Sequence, residues 1–126
     1  MQYEDSSWVG FDLDGTLAHS ADGNYDPNHI GAPIPAMLER LRNLLNQGRR
    51  VKIFTARATV PQQIPAVKNW LREQGLPDLE VTNVKDYECE YFYDDRAVEV
   101  IPNTGRLANP LRRLAAVDLP DEGSTP

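Results

Sequence analysis

The run Val9-Gly10-Phe11-Asp12-Leu13-Asp14-Gly15-Thr16-Leu17 decides the reading of this chain. An apolar segment that ends in two carboxylates two residues apart, then breaks at a glycine, reads as a buried strand delivering both side chains to the same side. Like charges held that close repel each other, so folding them together calls for a cation in the site. The pattern suits a divalent metal, with one carboxylate as ligand or nucleophile and the other as proton donor. Two plainer patterns share part of it. A calcium loop opening on Asp12 needs a Glu at its twelfth position, where Gly23 stands. A strand end followed by an ordinary Asp-Gly turn needs only Asp14-Gly15.

Outward from this run, the chain alternates strand and helix signals. Trp8 to Leu13 is nearly continuous in apolar residues, as in a strand buried on both faces of a parallel sheet. His19 to Pro35 carries loop chemistry, with a small hairpin expected around Asp22-Gly23. Met37, Leu38, Leu41, Leu44 and Leu45 recur at helical spacing before Gly48, which predicts a helix over 35–47. Val51 to Thr55 reads as a second strand. Residues 62–74 read as a second helix, with Pro65 in its first turn and Gly75 as its stop. Glu80 to Val84, Glu90 to Tyr93 and Val98 to Ile101 read as strands three to five. Pro102-Asn103-Thr104-Gly105 is a turn, and 109–117 has a helical period. The expected fold is therefore α/β, with a mostly parallel five-stranded sheet.

At 126 residues the chain suits one domain, placed at 1–117, with 118–126 a polar, disordered tail. A net charge of −6 argues against non-specific binding to nucleic acid or anionic membranes. No stretch approaches the roughly 20 apolar residues that span a bilayer, and the first residues lack the pattern of a signal peptide. A soluble, cytoplasmic protein is expected. The single cysteine, Cys89, has no His/Cys cluster around it and reads as a packing residue or surface thiol.

In parallel α/β sheets, ligands sit beyond the carboxyl ends of the strands, at a switch in strand order. Asp12 and Asp14, Thr55, Lys85, and Asp94 with Asp95 all stand where strands one to four should end. Each has a plainer role open to it: Thr55 as a strand-end residue, Lys85 as a solvated loop lysine, Asp94-Asp95 as a turn or helix cap.

Taken together, Phe11-Asp12-Leu13-Asp14-Gly15-Thr16-Leu17, Phe54-Thr55-Ala56-Arg57, Lys85 and Tyr93-Asp94-Asp95-Arg96 resemble the four motifs of the haloacid dehalogenase superfamily, over roughly residues 8–106. The resemblance implies a Rossmann-like three-layer sandwich with strand one central. It implies Asp12 as the nucleophile that becomes an aspartyl-phosphate and Asp14 as the general acid and base. Mg²⁺ would bind at Asp12, the Asp14 carbonyl, and Asp94 or Asp95. Thr55 and Lys85 would hold the phosphoryl group. An aspartate at position 14 favours the phosphatase and phosphomutase branches. The intervals after the first and second motifs hold only about a loop and one helix each, so the chain looks capless.

A capless site is open. It suits a phosphorylated small molecule covered by a second subunit of a homo-oligomer, or a nucleotide or polynucleotide terminus, with His19, Arg57 and Arg96 as substrate contacts. Asp94-Asp95-Arg96 also resembles a stretch of polynucleotide 3′-phosphatases, which makes nucleic-acid end processing one alternative to a general Mg²⁺-dependent phosphatase. A non-catalytic binding module with the same fold is the other.

Overall fold

The computed structural model of the protein describes residues 6–20 and 26–109. The chain divides into two compact units, Met1–Asp95 and Arg96–Pro126. The first holds strand β1 (Trp8–Phe11), helix α1 (Pro35–Asn46), strand β2 (Arg50–Phe54), two short 3-10 turns (Ala56–Thr59 and Pro61–Gln63), helix α2 (Ile64–Glu73), strand β3 (Glu80–Thr82) and strand β4 (Cys89–Tyr93). All strand pairings are parallel, in the order β3-β2-β1-β4.

Both helices form where apolar residues recur at helical spacing, and both end in the same way. Gly48 and Gly75 adopt positive φ. The residue after each glycine donates its N–H back into the last turn, Arg49 to Leu44 O at 2.9 Å and Leu76 to Leu71 O at 3.1 Å. This reversal satisfies carbonyls that a helix end would otherwise leave open, and glycine adopts it at little cost.

The connections β1 to β2 and β2 to β3 step in one direction across the sheet, and the right hand that parallel crossovers take puts both helices on one face. Leu38 and Leu41 of α1 and Val67, Trp70 and Leu71 of α2 accordingly share one core with Val9, Phe11, Val51 and Ile53. The return from β3 to β4 runs the opposite way and crosses the other face. There Asp86 accepts a hydrogen bond from Trp8 Nε1 at 2.9 Å, and Lys52 Nζ lies 4.6 Å from the Trp8 ring centre. Lys52 is buried in the middle of β2, where Glu80 at 3.3 Å and Asp86 at 3.9 Å balance its charge.

One expectation needs correction. Among the described residues the sheet has four strands, not five. Val100 pairs antiparallel with Leu107 inside the second unit, closing a local loop through Ile101 N–H to Arg106 O at 2.8 Å and Ala108 N–H to Glu99 O at 2.9 Å. The turn at Asn103 and Gly105, both at positive φ, folds 98–101 back onto its own neighbours. Among the described residues both α-helices join the single core on one face. The expected hairpin around Asp22-Gly23, the helix over 109–117 beyond Asn109, and the tail 118–126 lie outside the described residues. No helix among the described residues is long and apolar enough to cross a membrane.

Candidate active site

The strand order reverses direction at β1, so the carboxyl ends of β1 and β4 flank the switch point. Phe11 is in register with Tyr93, and Asp12 N–H donates to Tyr93 O at 2.9 Å. The same alignment carries Asp12 and Asp94 off the sheet side by side. Asp12, Asp94 and Asp95 each present a carboxylate oxygen, and these oxygens lie within 4.8 Å of one another.

The turn after β1 is built around one carbonyl. Leu13 O accepts N–H bonds from Thr16 at 3.1 Å, Leu17 at 2.9 Å and Ala18 at 2.9 Å. Gly15 sits at φ +89°, and a Cβ there would lie 2.4 Å from Asp95 Oδ2. Backbone conformation and close approach both require glycine, and its bare α-carbon cradles the Asp95 carboxylate. Thr16 Oγ1 donates to Asp12 Oδ2 at 3.3 Å.

Burial, then the neighbouring Asp94 charge, then a hydrogen bond with Asp95 push the Asp12 carboxyl up to about 8. Three oxygen donors in one negatively charged, partly buried cluster fit a hard divalent cation such as Mg²⁺, because such a cation favours the ionised carboxylates that burial and mutual repulsion disfavour.

Thr55 leaves β2 at the same end of the sheet and is 3% exposed. Its Oγ1 accepts the Arg57 N–H at 3.1 Å, which caps the first 3-10 turn and leaves the hydroxyl proton to donate elsewhere. Asp14 is held differently from Asp12. Arg57 Nε donates to Asp14 Oδ2 at 2.8 Å, and Arg57 Nη2 donates to Asp14 Oδ1 at 2.9 Å and to His29 O at 2.9 Å. Arg57 is 4% exposed. A planar guanidinium matches a carboxylate in this two-pronged way, and burial strengthens both bonds.

The predicted residues therefore fall into groups. Asp12, Asp94 and Asp95 form one cluster, and Asp14 pairs with Arg57 beside it, with Thr55 joined to the pair through the Arg57 N–H. Lys85 is exposed, with Nζ 5.7 Å from the Phe92 ring centre. His19 is exposed, and its N–H donates to Ala32 O at 2.8 Å. Arg96 begins the second unit. Sequence reasoning missed two features. The His29 carbonyl carried no signal. Lys52, flanked by Val51 and Ile53 in a buried strand, did, since a lysine there needs acidic partners.

No protein-family model and no curated protein matches the chain. Among solved structures it is similar to a conserved protein coded by a locus of Bacteroides thetaiotaomicron, at 24% identity over 76% of this chain and 81% of that chain, with a TM-score of 0.57. A likeness at that identity concerns the fold, here α/β with a parallel four-stranded sheet.

Proposed function

We propose that the protein is a Mg²⁺-dependent phosphatase of the capless haloacid dehalogenase type, with a Rossmann-like fold, and that it hydrolyses phosphate monoesters through an aspartyl-phosphate on Asp12. The observation that carries this reading is the convergence of Asp12, Asp94 and Asp95 within 4.8 Å at the switch point, with the buried Thr55 leaving the neighbouring strand at the same end.

The bound cation would offset the charge that opposes a carboxylate approaching a phosphate dianion. Asp12 supplies the nucleophilic oxygen, and Thr16 Oγ1 orients its carboxylate. Thr55 Oγ and N–H groups of the turn after Asp12 serve as donors to the phosphoryl oxygens. Lys85, on the connection before β4, adds positive charge once its side chain swings from Phe92 toward the phosphate. Asp14 can exchange protons with the leaving group only after parting from Arg57. The phosphate would be carried by a small molecule or a nucleotide or polynucleotide terminus.

The test is phosphate release from an aryl phosphate by the purified protein, with Mg²⁺ and with excess chelator. The reading expects turnover that needs the metal and disappears in Asp12→Asn. Turnover unaffected by either change would contradict it.

A further inference from the structure

We infer that Arg57 is a positioning residue for the metal site: by gripping Asp14 it withholds a fourth carboxylate from the cation and keeps the site suited to Mg²⁺ rather than Ca²⁺. The inference rests on the phosphatase reading and deepens it to the site's choice of metal.

Asp14 stands beside the acidic cluster without belonging to it. It precedes Gly15, whose α-carbon lies against the Asp95 carboxylate, and it follows Asp12 by two residues. Yet the carboxylate oxygens that come within 4.8 Å of one another are those of Asp12, Asp94 and Asp95. Asp14 is drawn off by Arg57, which donates from Nε to Oδ2 at 2.8 Å and from Nη2 to Oδ1 at 2.9 Å. The guanidinium is itself held in place, so it does not follow its partner toward the cluster. Arg57 is 4% exposed, its Nη2 also donates to His29 O at 2.9 Å, and its backbone N–H donates to Thr55 Oγ1 at 3.1 Å. The segment that carries His29 is fixed in turn, since Trp70 Nε1 donates to Gly31 O at 3.0 Å.

The coordination habits of the two ions give this grip a consequence. Mg²⁺ demands a near-octahedral shell, keeps several waters and binds through one or two carboxylates, whereas Ca²⁺ takes roughly six to eight oxygens in a looser shell. Asp12, Asp94 and Asp95 already supply what Mg²⁺ needs, so a fourth carboxylate would chiefly strengthen the binding of Ca²⁺. Moving Asp14 onto the cation would break two charge-assisted bonds and strand a buried guanidinium. Proton exchange with a leaving group asks Asp14 to part from Arg57 only briefly in each turnover. Ligation would ask the separation to last as long as the metal stays bound. The pair therefore leaves Asp14 available for proton transfer while keeping it out of the metal's shell.

Calorimetric titration of the full chain with Mg²⁺ and with Ca²⁺ tests this independently of turnover. Arg57→Lys keeps the positive charge but loses the two-pronged grip. It should bind Ca²⁺ about tenfold more tightly than wild type does, with little change for Mg²⁺. Adding Asp14→Asn to that variant should restore the wild-type ratio of the two affinities. A ratio unchanged in Arg57→Lys, or a gain that survives Asp14→Asn, would overturn the inference while leaving the phosphatase reading intact. If Arg57→Lys does not fold, Asp14→Asn alone decides. Its ratio should match wild type, and a selective loss of Ca²⁺ affinity would overturn the inference by showing that Asp14 already ligates the cation. Failure of the wild type to bind either cation would remove both readings.

Discussion

Asp95 leans its carboxylate onto the bare α-carbon of Gly15, so closely that a methyl group on that carbon would lie 2.4 Å from Oδ2. The contact joins the turn after β1 to the end of β4, which come together only because those strands pair in parallel. Gly15→Ala should therefore be harmful twice over. It forces a side chain into a positive-φ conformation, costing on the order of 1–2 kcal/mol, and it pushes Asp95 out of the acidic cluster. Thermal melting should register the first effect, and a raised Mg²⁺ concentration for half-maximal activity the second.

The Asp14–Arg57 pair should be strongly coupled in stability. Removing one partner of a buried pair costs about 3–5 kcal/mol. The low end of that range applies here, because the Asp14 side chain is 28% exposed while that of Arg57 is 3% exposed. Arg57→Ala and Asp14→Ala should each destabilise the protein, and the double variant should lose clearly less than the sum. Urea denaturation of the four proteins measures the coupling.

The raised Asp12 carboxyl makes stability depend on pH. Folded Asp12 holds its proton up to about 8, against 3.8 for the free side chain. Protonated Asp12 thus stabilises the metal-free fold fully below pH 4, and this contribution falls away as pH rises from there through 8. The proposed Mg²⁺ would bind the ionised form, so its stabilising effect should grow over the same interval. Melting temperatures across that range, with Mg²⁺ and with chelator, give the two opposing slopes.

Trp8 is fully buried and donates to Asp86, so it anchors the connection that carries Lys85. Trp8→Phe removes both the donor and part of the packed volume and should cost about 1–3 kcal/mol. Hydrogen exchange should then quicken at residues 83–88, which lie far along the chain from the substitution.

Metal ligation should divide between the two aspartates after β4. Asp94→Ala and Asp95→Ala should each raise the Mg²⁺ concentration needed for half-activity, and metal titrations of turnover measure the shift. If neither variant changes it, the metal lies elsewhere.

Much of this arrangement was legible because it follows from local patterns. Gly48 and Gly75 marked the helix ends within about a residue, and the parallel reading of Phe11-Asp12 and Tyr93-Asp94 set those carboxylates side by side. Long-range pairing was not legible. Arg57 lies 43 residues from Asp14, and nothing in Phe54-Thr55-Ala56-Arg57 distinguishes a guanidinium that meets substrate from one that grips a carboxylate. Val98 to Ile101 has the composition of a strand, yet the Asn103 and Gly105 turn gives Val100 a nearby partner in Leu107. A local loop closes at less entropic cost than pairing with a distant edge.

The central claim is that Asp12 attacks phosphorus with a divalent metal beside it. Its most direct measurement is mass spectrometry of the protein quenched in acid during turnover of an aryl phosphate with Mg²⁺, with the modified peptide located by fragmentation. The account predicts one phosphoryl group on Asp12, absent with chelator and absent in Asp12→Asn. Steady hydrolysis that persists in Asp12→Asn, or a phosphoryl group found on another residue, would contradict it.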